Sequence, residues 1–243
     1  MLDPVRLALA FLTRLPLPAG DAQPAQLGAA VAWFPLVGAL LGAAQWLAYA
    51  LLSPRLDPMF LGLVLVTLGA LLTGALHLDG LADVFDGLSG GRGDRSRMLE
   101  IMRDPRIGAH GACALVLLLI GKILASAELC GRGHWQPLMA APVCARFAAV
   151  LLIRLFPYAR AEGLGRAFHD HSHTRHVLLA ALLTAPLLAW IGPSALGLLS
   201  VALISALLLA SWVQRRIGGL TGDAYGAAIE LAELSLLLGG RWL

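Results

Sequence analysis

Apolar residues run along this chain in blocks of about fifteen to twenty-five, separated by short polar stretches. Blocks of that length predict helices that cross a bilayer, not amphipathic helices of a soluble core or alternating strands. The pattern predicts spans near 28–52, 59–78, 107–127, 137–156, 176–191 and 195–213, and a last helix over 224–238. Trp33 and Trp46 suit interface anchors on the first span. Before it, 2–17 is short and broken by Pro4 and Pro16, with Asp3, Arg6 and Arg14 on one helical face. This stretch reads as an interfacial helix too short to span. Between the second and third spans, 88–106 is the most polar segment; glycines 90, 91 and 93 predict a mobile loop and 96–103 a short helix. The fold class is therefore all-α, a single polytopic helix bundle over 1–243. It has about six to seven transmembrane helices plus the N-terminal interfacial helix.

Composition agrees. The chain is 58% hydrophobic and 14% charged, against about 45–50% and 25% in soluble domains, and its mean hydropathy is +0.77. A formal charge of +3 gives no indication of nucleic-acid binding. Cys113, Cys130 and Cys144 follow no metal or disulfide spacing. Charge does orient the chain. With the N-terminus in the cytoplasm, twelve arginines fall on that side (6, 14, 92, 95, 97, 103, 106, 160, 166, 175, 215 and 216) and three, Arg55, Arg132 and Arg241, on the other. That asymmetry follows the positive-inside rule. Lys122, Arg146 and Arg154 lie within spans, where Arg154 and Lys122 are expected to snorkel and Arg146 needs a carboxylate or phosphate partner.

The chemistry concentrates at HLDGLADVFDGLSGG, directly after the second apolar block. Asp79, Asp83 and Asp86 stand at i, i+4 and i+7, so a helix puts all three on one face. Carboxylates this close repel, and a hard divalent cation, Mg²⁺, would hold them together. On that reading the three behave alike: loss of one charge weakens the ion and spares the fold. A second set, Asp223, Glu230 and Glu233, shares a face of the last helix. An unpaired acid near the bilayer centre costs about 3 kcal/mol, so these acids should face the bundle interior and a partner or ion. Asp104 lies in IMRDPRIGAHG between Arg103 and Arg106, where a surface pair and a phosphate-facing role are both open. The histidines at 169, 171, 173 and 176 lack zinc-like spacing and read as a polar loop.

Together, HLDGLADVFDGL, MRDPRIGAHG and GGLTGDAYGAAIELAE, with FLTRLPLP and YARAEGLGRAF, closely resemble the cobalamin synthase family of adenosylcobinamide-GDP ribazoletransferases. The resemblance covers nearly the whole chain in order. It implies a Mg²⁺-dependent enzyme of the bacterial inner membrane, multi-pass, with its site facing the cytoplasm. Its substrates would be adenosylcobinamide-GDP and α-ribazole or α-ribazole 5′-phosphate, with GMP released. Membrane lipid is the implied surroundings and nucleic acid is not a partner; the oligomeric state, a homo-oligomer included, stays open. The family's acidic motifs fall on Asp79, Asp83, Asp86, Asp223 and Glu233 as metal ligands. Asp104 and Glu230 are the candidates for the proton acceptor. Arg103, Arg106, Arg146, Arg160, Gly90, Gly91, Thr221 and Gly222 are the expected substrate-binding set. Two departures, Val84–Phe85 and Pro105, bear on packing more than on chemistry. A CDP-alcohol phosphotransferase and a cation transporter are the alternatives. The D-x3-D-x2-D-G spacing argues against the first, and the glycine- and arginine-rich loop against the second.

Overall fold

The computed structural model describes residues 3–17, 22–192 and 194–242. Leu2, Pro18, Asp21 and Pro193, on which parts of the expected terminal helix and loops rest, lie outside the described residues. Helices α1 (Pro4–Leu12), α2 (Pro24–Ala30) and α3 (Phe34–Leu52) open the chain, α2 and α3 joined by one 3₁₀ turn. They are followed by α4 (Pro58–Thr73), α5 (Leu76–Gly90), α6 (Arg95–Ile101), α7 (Ala109–Arg132) and α8 (Gln136–Leu155). Then come α9 (Leu164–His171), α10 (Thr174–Ile191), α11 (Ser194–Ile217) and α12 (Gly222–Gly239). No strand occurs among the described residues.

Five of these helical runs are long and apolar enough to cross a membrane: 24–52, 109–132, 136–155, 174–191 and 194–217. A sixth crossing exists only if α4 and α5, bent by 90° at their junction, count as one. The outer surface is apolar in the way lipid requires: Leu71, Leu117, Leu178, Leu182, Leu196 and Leu208 are each at least 66% exposed. The chain is a polytopic membrane protein. At its centre stands α8, whose residues from Leu138 to Ile153 are nearly all buried against α3, α10, α11 and α12. Its alanines 140, 141, 145, 148 and 149 allow close backbone approach, which holds helices together where lipid is as apolar as the core.

The second span differs from the continuous helix that the apolar run to Leu78 predicts. It stops at Thr73, and Gly74 and Ala75 both take left-handed backbone, at φ 61° and 59°. Gly74 suits that conformation, and the Arg14 side chain lies where a β-carbon there would stand. The 90° turn sends α5 and its acids across to α12 instead of onward along α4. The polar stretch after α5 is also more ordered than a mobile glycine loop. Gly91 is buried against Met98 of α6, and Gly90, though exposed, has Ile101 beside it. The N-terminal helix α1 turns Leu7, Ala8 and Leu12 into the protein core, packing on α2 and α3.

The two ends of the bundle match the charge count. Glu128 joins Arg132 and Arg241, each at 2.6 Å, and Gly131 lies beside Pro58. At the other end Arg160 reaches Asp223, and Asp86 reaches the start of α7. Single cysteines placed at Ser89 and Gly222, both exposed, in a variant lacking the native cysteines should therefore label with an impermeant maleimide from one side. A cysteine at exposed Ser53 should label from the opposite side. Labelling of positions 89 and 222 from opposite sides would break this topology.

Candidate active site

Helices α5 and α12 run antiparallel in close contact. A β-carbon on Gly80 would lie 2.7 Å from the Asp223 carbonyl oxygen, and one on Gly226 3.2 Å from the His77 Cα. Without a side chain at 80 the two backbones meet, and the polar residues on both helices share one seam. From the interior outward the seam carries Glu233 and Glu230, then His77 and Tyr225, then Asp79 and Asp223, then Asp83 and Asp86.

The inner part is a closed ion cluster. Lys122 of α7 donates to Glu230 at 2.6 Å and to Glu233 at 2.5 Å. Arg146 of α8 pairs with the other Glu233 oxygen and lies 3.3 Å from His77 Nδ1. All five residues are buried. Two cations cancel two carboxylates, so no net charge is left in the interior. This corrects two expectations and decides one left open. Glu230 and Glu233 are held by cations and do not join the outer acids as base and metal ligand. Arg146, for which the sequence leaves pairing with Glu230 or Glu233 and a substrate role equally open, is paired with Glu233. Lys122, expected to snorkel, is instead the hub of the cluster.

The outer part is open. Among the described residues the Asp79 and Asp83 carboxylates have no hydrogen-bond or ion-pair partner. Asp79 is exposed and Asp83 half-buried, within electrostatic reach of Asp223 and Asp79. Asp223 accepts from Arg160 at 2.7 Å and from the Thr221 hydroxyl at 3.3 Å. Thr221 itself caps α12 through the Ala224 N–H, which explains the turn there. Asp86 parts company with its two neighbours. Its oxygens accept from the backbone N–H groups of Gly108, at 2.7 Å, and Gly111, at 2.8 Å. It fastens α5 to the start of α7 through one bond to each oxygen.

Asp79 lies where three cavities adjoin. The polar lining of the largest, about 510 Å³, includes Asp79, Arg103, Tyr158, Arg160, Glu162 and Asp223. Its aromatic and apolar lining includes Phe11, Phe34, Phe168, Tyr225 and Ile229. A second, about 420 Å³, adds Asp83, Arg103, Asp104 and Arg106. The third, about 430 Å³, lies towards Arg14 and Thr13. Arg103 faces the first two, and exposed Gly222 borders the first. Asp104, the other expected base, is clasped by the Arg106 side chain at 2.6 and 2.9 Å and by its backbone N–H at 3.0 Å. Those bonds hold its carboxyl down to about 2, where it is a weak proton acceptor. Burial pushes the Tyr158 hydroxyl up, so it stays a neutral donor beside the site.

Among the described residues no three His, Cys, Asp or Glu side chains form a ready metal cage. The donor set still fits Mg²⁺, which commonly takes one or two carboxylates and completes its shell with water and substrate phosphate. In the histidine segment the side-chain hydrogen bonds are local, among them His169 with Asp170 at 2.9 Å and the His173 N–H with His176 Nδ1 at 3.2 Å, while the His171 backbone packs on Gly28 of α2. Sequence reasoning passes over Tyr158, Glu162, Phe168 and Tyr225 as site residues. A signal exists for the first two, which lie inside YARAEGLGRAF, and for Tyr225, inside GGLTGDAYGAAIELAE.

Comparison with known proteins places this geometry in context. A family model described as cobalamin-5-phosphate synthase matches residues 4–240. Similar curated proteins include adenosylcobinamide-GDP ribazoletransferases of Desulfitobacterium hafniense, 42% identical over 96% of this chain and 94% of the relative. That of Ectopseudomonas mendocina is 44% identical over 96% of each. That of Citrobacter koseri is 43% identical over 95% and 96%. No solved structure matches.

Removing one member of the inner cluster should expose its charge imbalance. Lys122→Met leaves two buried carboxylates against Arg146 alone. It should destabilise the protein by about 3–5 kcal/mol, the range for breaking a buried pair. Adding Glu230→Gln should recover most of the loss, read by thermal unfolding in detergent. An unchanged unfolding temperature for Lys122→Met would show that the cluster does not hold the helices.

Proposed function

The chain belongs to the cobalamin-5-phosphate synthase family, and from that premise we propose that it is a Mg²⁺-dependent enzyme of the inner membrane. It joins α-ribazole, or its 5′-phosphate, to adenosylcobinamide-GDP with release of GMP, at a site facing the cytoplasm. Family membership removes the CDP-alcohol phosphotransferase and the cation transporter as readings. The observation that carries the proposal is the position of Asp79. It is a carboxylate without a partner among the described residues, bordering three adjoining cavities, with Arg103 across two of them. Two substrates and a leaving group need such a junction.

The residues divide the work. A ribose hydroxyl oxygen of ribazole attacks the phosphorus on the cobinamide side of the pyrophosphate. A new O–P bond forms, the P–O bond to GMP breaks, and the hydroxyl proton passes to a carboxylate. Asp79 is placed to take that proton, because it borders the cavities of both partners. Asp83 and Asp223 would hold Mg²⁺, which when bound neutralises pyrophosphate oxygens. Arg160 keeps Asp223 in place at 2.7 Å. Arg103, exposed and facing two cavities, and Arg106 supply the donors that a departing phosphate requires. Phosphoryl transfer depends mostly on such alignment and charge neutralisation.

Turnover is measured as GMP release by the purified, detergent-solubilised protein with adenosylcobinamide-GDP, α-ribazole and Mg²⁺. Asp79→Asn and Asp83→Asn should each lose about 10²–10³ in rate, the scale of one electrostatic group in a transition state. Without metal, both should unfold no earlier than the unaltered protein, since each relieves a like-charge contact. Asp86→Ala should differ in kind. It leaves the buried Gly111 N–H and the partly buried Gly108 N–H without an acceptor and should cost about 1–3 kcal/mol of stability. Full activity in the Asp79 and Asp83 variants, with an unchanged Mg²⁺ requirement, would sink the assignment.

A further inference from the structure

The motif FLTRLPLP carries part of the likeness to known proteins, yet the reaction scheme leaves it idle. Its Arg14 is exposed, and among the described residues its guanidinium has no hydrogen-bond or ion-pair partner. The side chain is nonetheless held in place. The Arg14 N–H donates to the Leu72 carbonyl at 2.8 Å, near the end of α4. Arg14 Cγ, Cδ and Nε occupy the space that a β-carbon at Gly74 would need. Gly74 is the left-handed residue at which the bend between α4 and α5 begins. It lines the third cavity, about 430 Å³, together with Arg14 and Asp79. The bend therefore seats a cation at a cavity that Asp79 also borders.

The lining of that cavity limits what this cation can serve. Of the residues there only Arg14 and Asp79 carry charge. The Thr13 and Thr73 hydroxyls donate to the carbonyls of Leu9, at 2.7 Å, and Gly69, at 2.9 Å, so neither is left to donate to a ligand. Asp83, Asp223, Arg103 and Arg106 line the other two cavities and not this one. A pyrophosphate here would lack both the proposed metal holders and the other arginines. A single phosphate monoester needs only one forked donor. It carries a charge of about −1.5 to −2. Asp79 alone would repel it, and Arg14 offsets that repulsion. Because Arg14 is exposed, a phosphate paired with it keeps part of its water, which keeps the desolvation cost small.

The two forms of the ribazole substrate differ by one such group. The attacking hydroxyl and the 5′ carbon belong to the same ribose. With that hydroxyl at Asp79, a 5′-phosphate lies within one sugar's breadth, and a cavity bordered by both Asp79 and Arg14 accommodates both groups. Resting on the function proposed above, we propose that Arg14 receives the 5′-phosphate of α-ribazole 5′-phosphate and makes that form, not α-ribazole, the preferred substrate. Arg14 is then a specificity residue that stands apart from the reacting atoms. Lipid headgroups present the same phosphate chemistry at a membrane surface, and the test separates the two sources.

Calorimetric binding of α-ribazole and α-ribazole 5′-phosphate to the full-length detergent-solubilised protein tests this. The unaltered protein should prefer the phosphorylated form by about tenfold to a hundredfold, the scale of one charge-assisted hydrogen bond. Arg14→Gln should bring the ratio to about one by weakening the phosphorylated form alone, and Arg14→Lys should restore part of it. A merely structural role would weaken both forms equally. A ratio near one in the unaltered protein, or an unchanged ratio in Arg14→Gln, overturns the subsite. Should Arg14→Gln not fold, inorganic phosphate decides with the unaltered protein. It should compete with the phosphorylated form and leave α-ribazole binding unmoved; competition with both forms or with neither overturns the subsite. Added phosphatidylglycerol that raises the unfolding temperature of the unaltered protein but not of Arg14→Gln, together with a ratio near one, assigns Arg14 to lipid instead. GMP release separates the two levels. Turnover with equal kcat/KM for both forms refutes the subsite alone. A preference for the phosphorylated form in binding, without turnover, supports the subsite and refutes the transfer reaction.

Discussion

Charges inside a membrane protein must cancel locally, and this bundle is arranged around one such cancellation. Lys122 and Arg146 balance Glu230 and Glu233. The four residues come from α7, α8 and α12, and Arg146 extends the contact to His77 on α5. Apolar packing alone has little to gain from moving helices out of lipid. A buried pair that loses one partner leaves a bare charge in a medium that cannot solvate it. The cluster therefore fixes which helices meet, and at what depth.

That constraint separates two kinds of acid along one seam. The deep carboxylates are neutralised and serve the fold. The shallow ones, Asp79, Asp83 and Asp223, line open cavities, and of the three only Asp223 pairs with a cation among the described residues, Arg160. Asp79 and Asp83 keep no side-chain partner among the described residues, which is what the proposed cation site calls for. The reversal at Gly74–Ala75 makes this possible. A straight continuation of α4 would carry the acids away from α12, whereas the 90° turn lays them against it. Gly80 then admits the α12 backbone at Asp223.

Much of this was legible in the sequence, and the remainder was not for physical reasons. Long apolar runs declare their own helices, so the third to sixth spans and the terminal helix appear within a few residues of their observed ends. Helical spacing put Asp79, Asp83 and Asp86 on one face, and they are on one helix. Nothing local to them shows that Asp86 is occupied, because its donors are backbone groups 22 and 25 residues away. Likewise the spacing of Glu230 and Glu233 gives a face but not a partner. That partner, Lys122, is more than 100 residues distant. Its being the chain's one lysine among seventeen arginines was the available sign. The bend inside the apolar block was hidden because Gly and Ala are both at home in a membrane helix, and left-handed backbone at Ala75 leaves no mark in the sequence.

The central claim is that the outer acids bind the reacting phosphates while the inner acids stay paired with their cations. Cryo-electron microscopy of the protein with Mn²⁺ in place of Mg²⁺, and with adenosylcobinamide-GDP in the absence of ribazole, addresses it directly. Metal and pyrophosphate density should appear between α5 and α12 beside Asp79, Asp83 and Asp223. Lys122 should still contact Glu230 and Glu233. Metal density at Glu230 or Glu233, with Lys122 displaced, would contradict the account.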